Sequence, residues 1–303
     1  MEFIILDNEW HTPYCTVNGK CINELIEIGA VKLDENLREI SRFSVLIKST
    51  FTKKLSSRFQ RLTNITTEEM LTKGMTFEQA FSLYSDWAGE DAVTMTWSNS
   101  DLYVLLENFR LRRRISTVPI IGKYLDLQKY VQNEMIKLGN SITSQVSVSN
   151  AALMLGIQID GIDLHRALDD SLLCAEILRK VYNKKRLLTY VVDTSAPDYY
   201  SRLTFKAYII RDINSPLVNK NKMEFKCEKC GSDAKRLTSW AFRGHGFKAE
   251  FQCKSCDYKF IGRVTFKKYY DNVVVKHNTA PISAVPVKIE KDKTDSAETV
   301  AKN

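Results

Sequence analysis

No stretch of this 303-residue chain approaches the apolar length that a membrane-spanning helix needs, which excludes an integral helical membrane protein. The first residues, MEFIILDNEW, hold neither a basic n-region nor a long apolar export core, so a cytoplasmic protein is expected. Seven cysteines cannot all pair with one another, and four of them stand as two C-x2-C pairs. In a reducing compartment that pattern argues for metal thiolates over disulfides, leaving Cys15, Cys21 and Cys174 as free thiols. Histidine is scarce, at four residues, so few side chains are available for acid–base chemistry near neutral pH. There is no internal repeat, which removes solenoid and propeller architectures.

What is present describes a globular protein larger than one average domain, so a mid-sized domain with a smaller appendage is the natural division. The formal charge of +8 and a pI near 9.0 favour a polyanionic partner, nucleic acid first. Residues 3–7 (FIILD) read as a central strand buried on both faces and ending at Asp7. Strands at 25–33 and 40–47 complete an antiparallel meander. From about Lys53 the period becomes helical, and TTEEM and TFEQAFSLYSDWA each open on Thr with Glu close behind, as helix starts do. A strand at 91–97, helices at 102–113, from Asp126, at 146–155 and at 167–181 follow, the last strongly amphipathic. Alternation of this kind predicts an α/β layer fold.

Five residues carry the chemistry of the first domain: Asp7 and Glu9 in LDNEW, Asp101 in TWSNSD, and His165 and Asp170 in HRALDD. Side chains alternate along a strand, so Asp7 and Glu9 at i and i+2 leave from the same face. Two carboxylates so placed repel unless cations neutralise them. Each residue also has an ordinary reading, the first two as turn acids, Asp101 as a cap for the helix it precedes, Asp170 as a first-turn acid and His165 as a loop residue. Their order, each at the end or start of a regular element, is what joins them.

With those residues in place the chain resembles the DEDDh (DnaQ-like) 3'-to-5' exonucleases over roughly residues 1–182. The resemblance rests on IILDNEW, INELIEIGAVKLD, LTNITTEEML, TWSNSDLYVL, YLDLQK and LGIQIDGIDLHRALDDSLLCAEIL. It implies an RNase H-like fold, a mixed five-stranded sheet flanked by helices. It further implies two Mg2+ or Mn2+ ions: Asp7 bridging both, Glu9 and Asp170 completing the site that activates water, and Asp101 holding the second ion. Two such ions about 4 Å apart stabilise both nucleophile and leaving oxygen. His165 would be the general base, a role suited to imidazole because it titrates close to operating pH. His11, His245 and His277 lack that motif context. Trp10 stands where the family often has a smaller or hydroxylated residue, and is read either as a core or rim tryptophan or as a stacking platform for the 3'-terminal base.

The C-terminal part contains Cys227 and Cys230 in CEKCG and Cys253 and Cys256 in CKSCD. Four sulfurs on two short turns predict a closed tetrahedral site for one structural Zn2+, and the module resembles a zinc ribbon. Aromatic and basic residues alternate around it, from Trp240 and Arg243 to Lys268 and Tyr270, either as a nucleic-acid surface or as the core and solvated face of a small ribbon. The expected organisation is an exonuclease domain over 1–183, a linker over 184–221, the ribbon-like module over 222–277 and a disordered tail over 278–303. The function expected is release of nucleoside 5'-monophosphates from the 3' end of single-stranded DNA or RNA. A nuclease of very short oligonucleotides and a non-catalytic nucleic-acid-binding protein remain as alternatives.

Overall fold

The computed structural model describes residues 1–15, 19–159 and 165–282, so part of LGIQIDGIDLH and the tail from 283 lie outside the described residues. The chain divides into two compact units, residues 1–204 and residues 205–303.

In the first unit, β1 (Phe3–His11), the short pair β2 (Tyr14–Cys15) and β3 (Lys20–Cys21), β4 (Glu24–Leu33) and β5 (Glu39–Leu46) are followed by three helices, α1 (Ser57–Thr63), α2 (Thr67–Lys73) and α3 (Phe77–Ala88). Then come β6 (Val93–Thr96), α4 (Ser100–Arg113), β7 (Lys123–Asp126), α5 (Leu127–Lys137), α6 (Val148–Met154), α7 (Ala167–Val181), α8 (Lys184–Leu188), β8 (Val192–Asp193) and α9 (Tyr199–Thr204). The helix starts match their sequence signals: Thr66 accepts from the Glu69 N–H, Thr76 forms a full capping box with Gln79, and Asp126 accepts from the Lys129 N–H.

The sheet order is β5-β4-β1-β6-β7-β8, with β1, β6 and β7 parallel and the remaining neighbours antiparallel. It is the mixed helix-flanked sheet the sequence implies, extended by the two-residue β8 at one edge. Alternation along β1 explains its nearly continuous apolar run. Phe3 and Ile5 enter a core with α5, α6 and α7, while Ile4 and Leu6 enter another with α3 and α4. The strand continues past Asp7 to His11, contrary to the expected end, because β4 keeps pairing with it through Glu9↔Glu27 to Trp10↔Leu25 across an irregularity.

In the second unit, β9 (Tyr208–Ile209), β10 (Ala234–Arg236), β11 (Ala241–Phe242), β12 (Phe247–Cys253), β13 (Lys259–Lys268) and β14 (Val273–Pro281) form one sheet built on the antiparallel path β10-β12-β13-β14. Phe247, Phe251, Phe260 and Phe266 are buried in its core. Those four rings are therefore unavailable for stacking, and the ordinary reading of them holds.

Residues 184–221, expected as a linker, are built into the units instead. Leu187 and Tyr200 are buried in the cores of the first, and Ile210 and Val218 in the core of the second. Prolines and polar residues suggested a linker, but the apolar residues spaced between them outweigh that signal by burial. The strand expected near 203–210 shrinks to β9, with α9 before it. Residues 278–281, assigned to the tail, complete β14, whose backbone pairing with β13 needs no apolar pattern.

Candidate active site

Asp7 and Glu9 leave β1 on the side facing α7, two and four residues beyond Ile5 of that core. Asp170, in the first turn of α7, is nearly buried. Ligand atoms of Glu9, His165 and Asp170 all lie within 4.8 Å of one another. Asp101 is not a helix cap. It is buried within the first turn of α4, where its Oδ1 accepts from the Asn8 N–H at 3.0 Å and its carbonyl accepts from Asn8 Nδ2 at 3.3 Å. Trp97, just before it, is buried and donates Nε1 to the Val146 carbonyl at 3.0 Å.

The electrostatics tie these acids into one group. Burial, then the charges of Asp101, Asp170 and Glu9, push the Asp7 carboxyl well above the usual carboxylate range. Burial, followed by Asp170 and Glu27, takes Glu9 to about 8. Burial raises Asp101 to about 7 against the opposing hydrogen bonds from Asn8, and Asp170 is raised by the same cause. Burial and mutual repulsion outweigh the opposing charges of Arg166 on Glu9 and of His165 on Asp170. Hard oxygen donors crowded in this way suit small divalent cations, so the donor set fits the Mg2+ or Mn2+ that the sequence implies.

Glu27, missed in the sequence, and the close approach at Gly29 hold the α7 half of the site in place. Glu27, on β4 opposite Glu9, is buried. Its Oε1 accepts from Arg166 Nη2 at 2.7 Å, and its Oε2 accepts the Ala167 N–H at 3.0 Å. A carboxylate from β4 thus satisfies an otherwise unpaired donor at the start of α7, where Arg166 makes no side-chain cap of its own. Two residues on, the Gly29 Cα is so close to α7 that a Cβ there would lie 2.1 Å from the Leu168 nitrogen, and Ser171 Oγ donates to the Gly29 carbonyl at 3.0 Å. His165 then adopts φ +73°, a sparsely populated conformation for a residue with a Cβ, while its N–H donates to Asp170 Oδ2 at 3.0 Å. The signal for Glu27 was present in INELIEIGAV: a carboxylate inside an otherwise apolar strand is seldom buried without a partner.

His11 lies outside this group. Its buried Nε2 accepts the Ser56 N–H at 3.2 Å and its ring meets Phe59 edge-on, which gives it a packing role beside α1. Trp10 is partly buried against the α3–α4 core and also lines a concavity of about 440 Å³ with Asn23, Ser100, Tyr103 and Arg202.

In the second unit, the four sulfurs of Cys227, Cys230, Cys253 and Cys256 converge within 4.8 Å, with neighbouring pairs 3.4–3.6 Å apart. That is too long for disulfides and suits thiolates around one ion. Backbone N–H groups of Lys229, Ser255 and Cys256 point at Sγ of Cys227 and Cys253, at 3.3–3.4 Å, and hold the two short turns around the sulfurs. The cluster fits a zinc ribbon.

Residues 2–178 match the exonuclease (RNase T) family. No curated protein matches the chain in sequence. Among solved structures, cell-death related nuclease 4 (CRN-4) is similar over 59% of this chain and 62% of its own, with 22% identity and a TM-score of 0.51. This chain therefore spans less than two thirds of that protein. The nuclease domain of 3'hExo, a DEDDh family member bound to rAMP, is similar over 59% of this chain and 90% of its own, with 24% identity and a TM-score of 0.50. A 3'-exonuclease described in 3'-end specific recognition of a histone mRNA stem-loop is similar over 59% and 80%, with 23% identity and a TM-score of 0.51. At such identities the likeness is one of fold. Among the described residues no helix is long and apolar enough to cross a membrane.

Proposed function

Because the chain belongs to the exonuclease (RNase T) family, we propose that it is a metal-dependent 3'-to-5' exonuclease that shortens single-stranded DNA or RNA and releases nucleoside 5'-monophosphates. The observation that carries this reading is that Glu9, His165 and Asp170 lie within 4.8 Å of one another, with Asp7 and Asp101 near enough for the charges of all four acids to act on each other. The four carboxylates would hold two Mg2+ or Mn2+, which when bound lower the pKa of water and neutralise charge developing on the phosphate. His165, exposed beside buried acids, takes the proton from the attacking water and can pass it to solvent. Its position follows from the backbone bond to Asp170 and from Glu27 holding the start of α7. Asn8 holds Asp101 by two hydrogen bonds, so that carboxylate is oriented before substrate arrives.

Trp10 borders the concavity beside β1 and is the platform for the terminal base in this reading. The four thiolates of the second unit would hold one structural Zn2+ with no open position for catalysis. A cytosolic, reducing setting agrees with seven cysteines that form no disulfide among the described residues.

The test uses the full chain with Mn2+ and 5'-labelled single strands of DNA and RNA, long and short. A ladder shortened from the 3' end is expected, Asp7→Asn should slow it by at least ~100–1000-fold, and Trp10→Ala should raise KM about tenfold. No shortening of any strand with Mg2+ or Mn2+, or full activity of Asp7→Asn, would sink the proposal.

A further inference from the structure

The positive charge of the chain is not shared between its units. Residues 205–282 carry 16 Lys and Arg against 7 Asp and Glu, while residues 1–204 carry 24 against 25. Within the basic unit lies a hollow of about 740 Å³ that uses none of the catalytic carboxylates and none of the cysteines. Trp240, Phe225 and Phe251 form its apolar wall, and Lys220, Arg236 and Lys254 stand exposed around it. The Trp240 ring packs against Phe251 and Phe225, with centroids 5.7 and 6.2 Å away, but stays partly exposed. The Arg236 guanidinium lies 5.8 Å from the Trp240 centroid.

Among the described residues, no carboxylate forms an ion pair with Lys220, Arg236 or Lys254. Of the two acids that also line the hollow, Glu224 and Asp233, the latter is engaged by Lys226 at 3.7 Å. Unpaired cations beside a partly exposed indole combine the two contacts a single strand makes with a protein, phosphate to cation and base to ring. A protein partner would be expected to meet a drier, less charged hollow.

We propose that this hollow is a nucleotide subsite, taking one base of a single strand against Trp240 and its flanking phosphates on Lys220, Arg236 and Lys254. The proposal rests on the reading that the chain acts on nucleic-acid strands. It assigns substrate retention to the second unit and bond cleavage to the first, so strand length and salt should affect binding through residues that take no part in chemistry.

The test is fluorescence anisotropy with the full, zinc-loaded chain and labelled 20-mers of dT and rU, without Mg2+ or Mn2+ so that strands stay intact. Arg236→Glu and Lys220→Glu should each weaken binding about tenfold and lower the salt slope by about one or more. Trp240→Leu, which keeps apolar packing, should weaken it about tenfold with the slope unchanged. Lys276→Glu, exposed on β14 outside the hollow, is the control and should change affinity less than threefold. Zinc content and circular dichroism identify any variant that has lost its fold. Wild-type affinity of folded Trp240→Leu, or a loss in Lys276→Glu equal to that in Arg236→Glu, would overturn the subsite. Either result leaves the exonuclease reading intact if Asp7→Asn still abolishes cleavage. Loss of the exonuclease reading would instead appear as strands that bind but are never shortened.

Discussion

The two units solve opposite electrostatic problems. The first is nearly neutral by count, yet gathers its candidate metal-binding acids against a large apolar core. There burial and mutual repulsion raise Asp7, Glu9, Asp101 and Asp170 together. The second is strongly basic, with a small core of Phe and other apolar side chains and four sulfurs that converge on one point. The difference teaches that charge has been placed by task. Concentrated negative charge demands cations and a rigid frame, whereas dispersed positive charge on a small sheet attracts a polyanion without needing fine geometry.

The frame also differs. The first unit owes its shape to sheet faces covered by helices, and its buried acids outside the cluster, Glu24, Glu27 and Glu134, are each paired with an arginine. Glu24 accepts from Arg112 Nη2 at 2.8 Å and from the Thr50 N–H at 2.7 Å, with both charged side chains almost wholly buried. The second unit has the smaller core, and in the zinc reading a closed metal site would add to what packing alone supplies in a module of that size.

The largest effect should come from that last contrast. Cys253→Ser, or removal of zinc, is expected to unfold the second unit, since structural zinc contributes roughly 10–16 kcal/mol to small zinc modules. The first unit should retain its helical circular dichroism. A single cooperative loss of both units would break the comparison. Next in size is Glu27→Gln, which keeps the shape of the side chain but removes the charge that Arg166 chelates. A fall in kcat of about 10–100-fold with little change in KM is expected, the range for removing a group that orients a metal ligand. Steady-state kinetics decide it, and a pure KM effect would mean that α7 is held by other contacts.

The smallest effect is on stability against pH. Glu9 and Asp101 have folded-state values of about 8 and 7, above those of free carboxyls. The folded chain therefore holds more protons than the unfolded chain between those limits, and stability should fall as pH rises from about 5 to 8 when hard divalent cations are absent. Adding Mn2+ should raise Tm more at pH 8 than at pH 5.5, because only the ionised carboxylates bind it. A Tm that rises with pH in ion-free protein would contradict the repulsion inferred for the cluster.

Much of the first unit was legible in the chain. The apolar run before Asp7, the Thr76 capping box and the amphipathic pattern of 167–181 are local signals, and local hydrogen bonding and periodicity produced the elements they indicate. The five candidate residues were chosen for their places near the ends and starts of such elements, although β1 runs on past Asp7 to His11. What Glu27 and Asn8 hold was not legible, even though the acid within INELIEIGAV is itself a signal, because their partners lie 139 or 140 and 93 residues away in the chain. The linker was misread for a related reason: Tyr200 and Val218 show their apolar role only when a core is there to receive them.

The sequence by itself determined which atoms were available: four carboxylates and an imidazole in one half, four sulfurs amid basic and aromatic residues in the other. Period and spacing already set the strand face shared by Asp7 and Glu9 and the short turns that aim each cysteine pair. Tertiary structure alone decided how near those atoms stand and what restrains them, because distance between remote residues depends on packing. Only the close approach of β4 to α7 at Gly29, with Glu27 gripping Arg166 and the Ala167 N–H, brings Asp170 and His165 to Glu9.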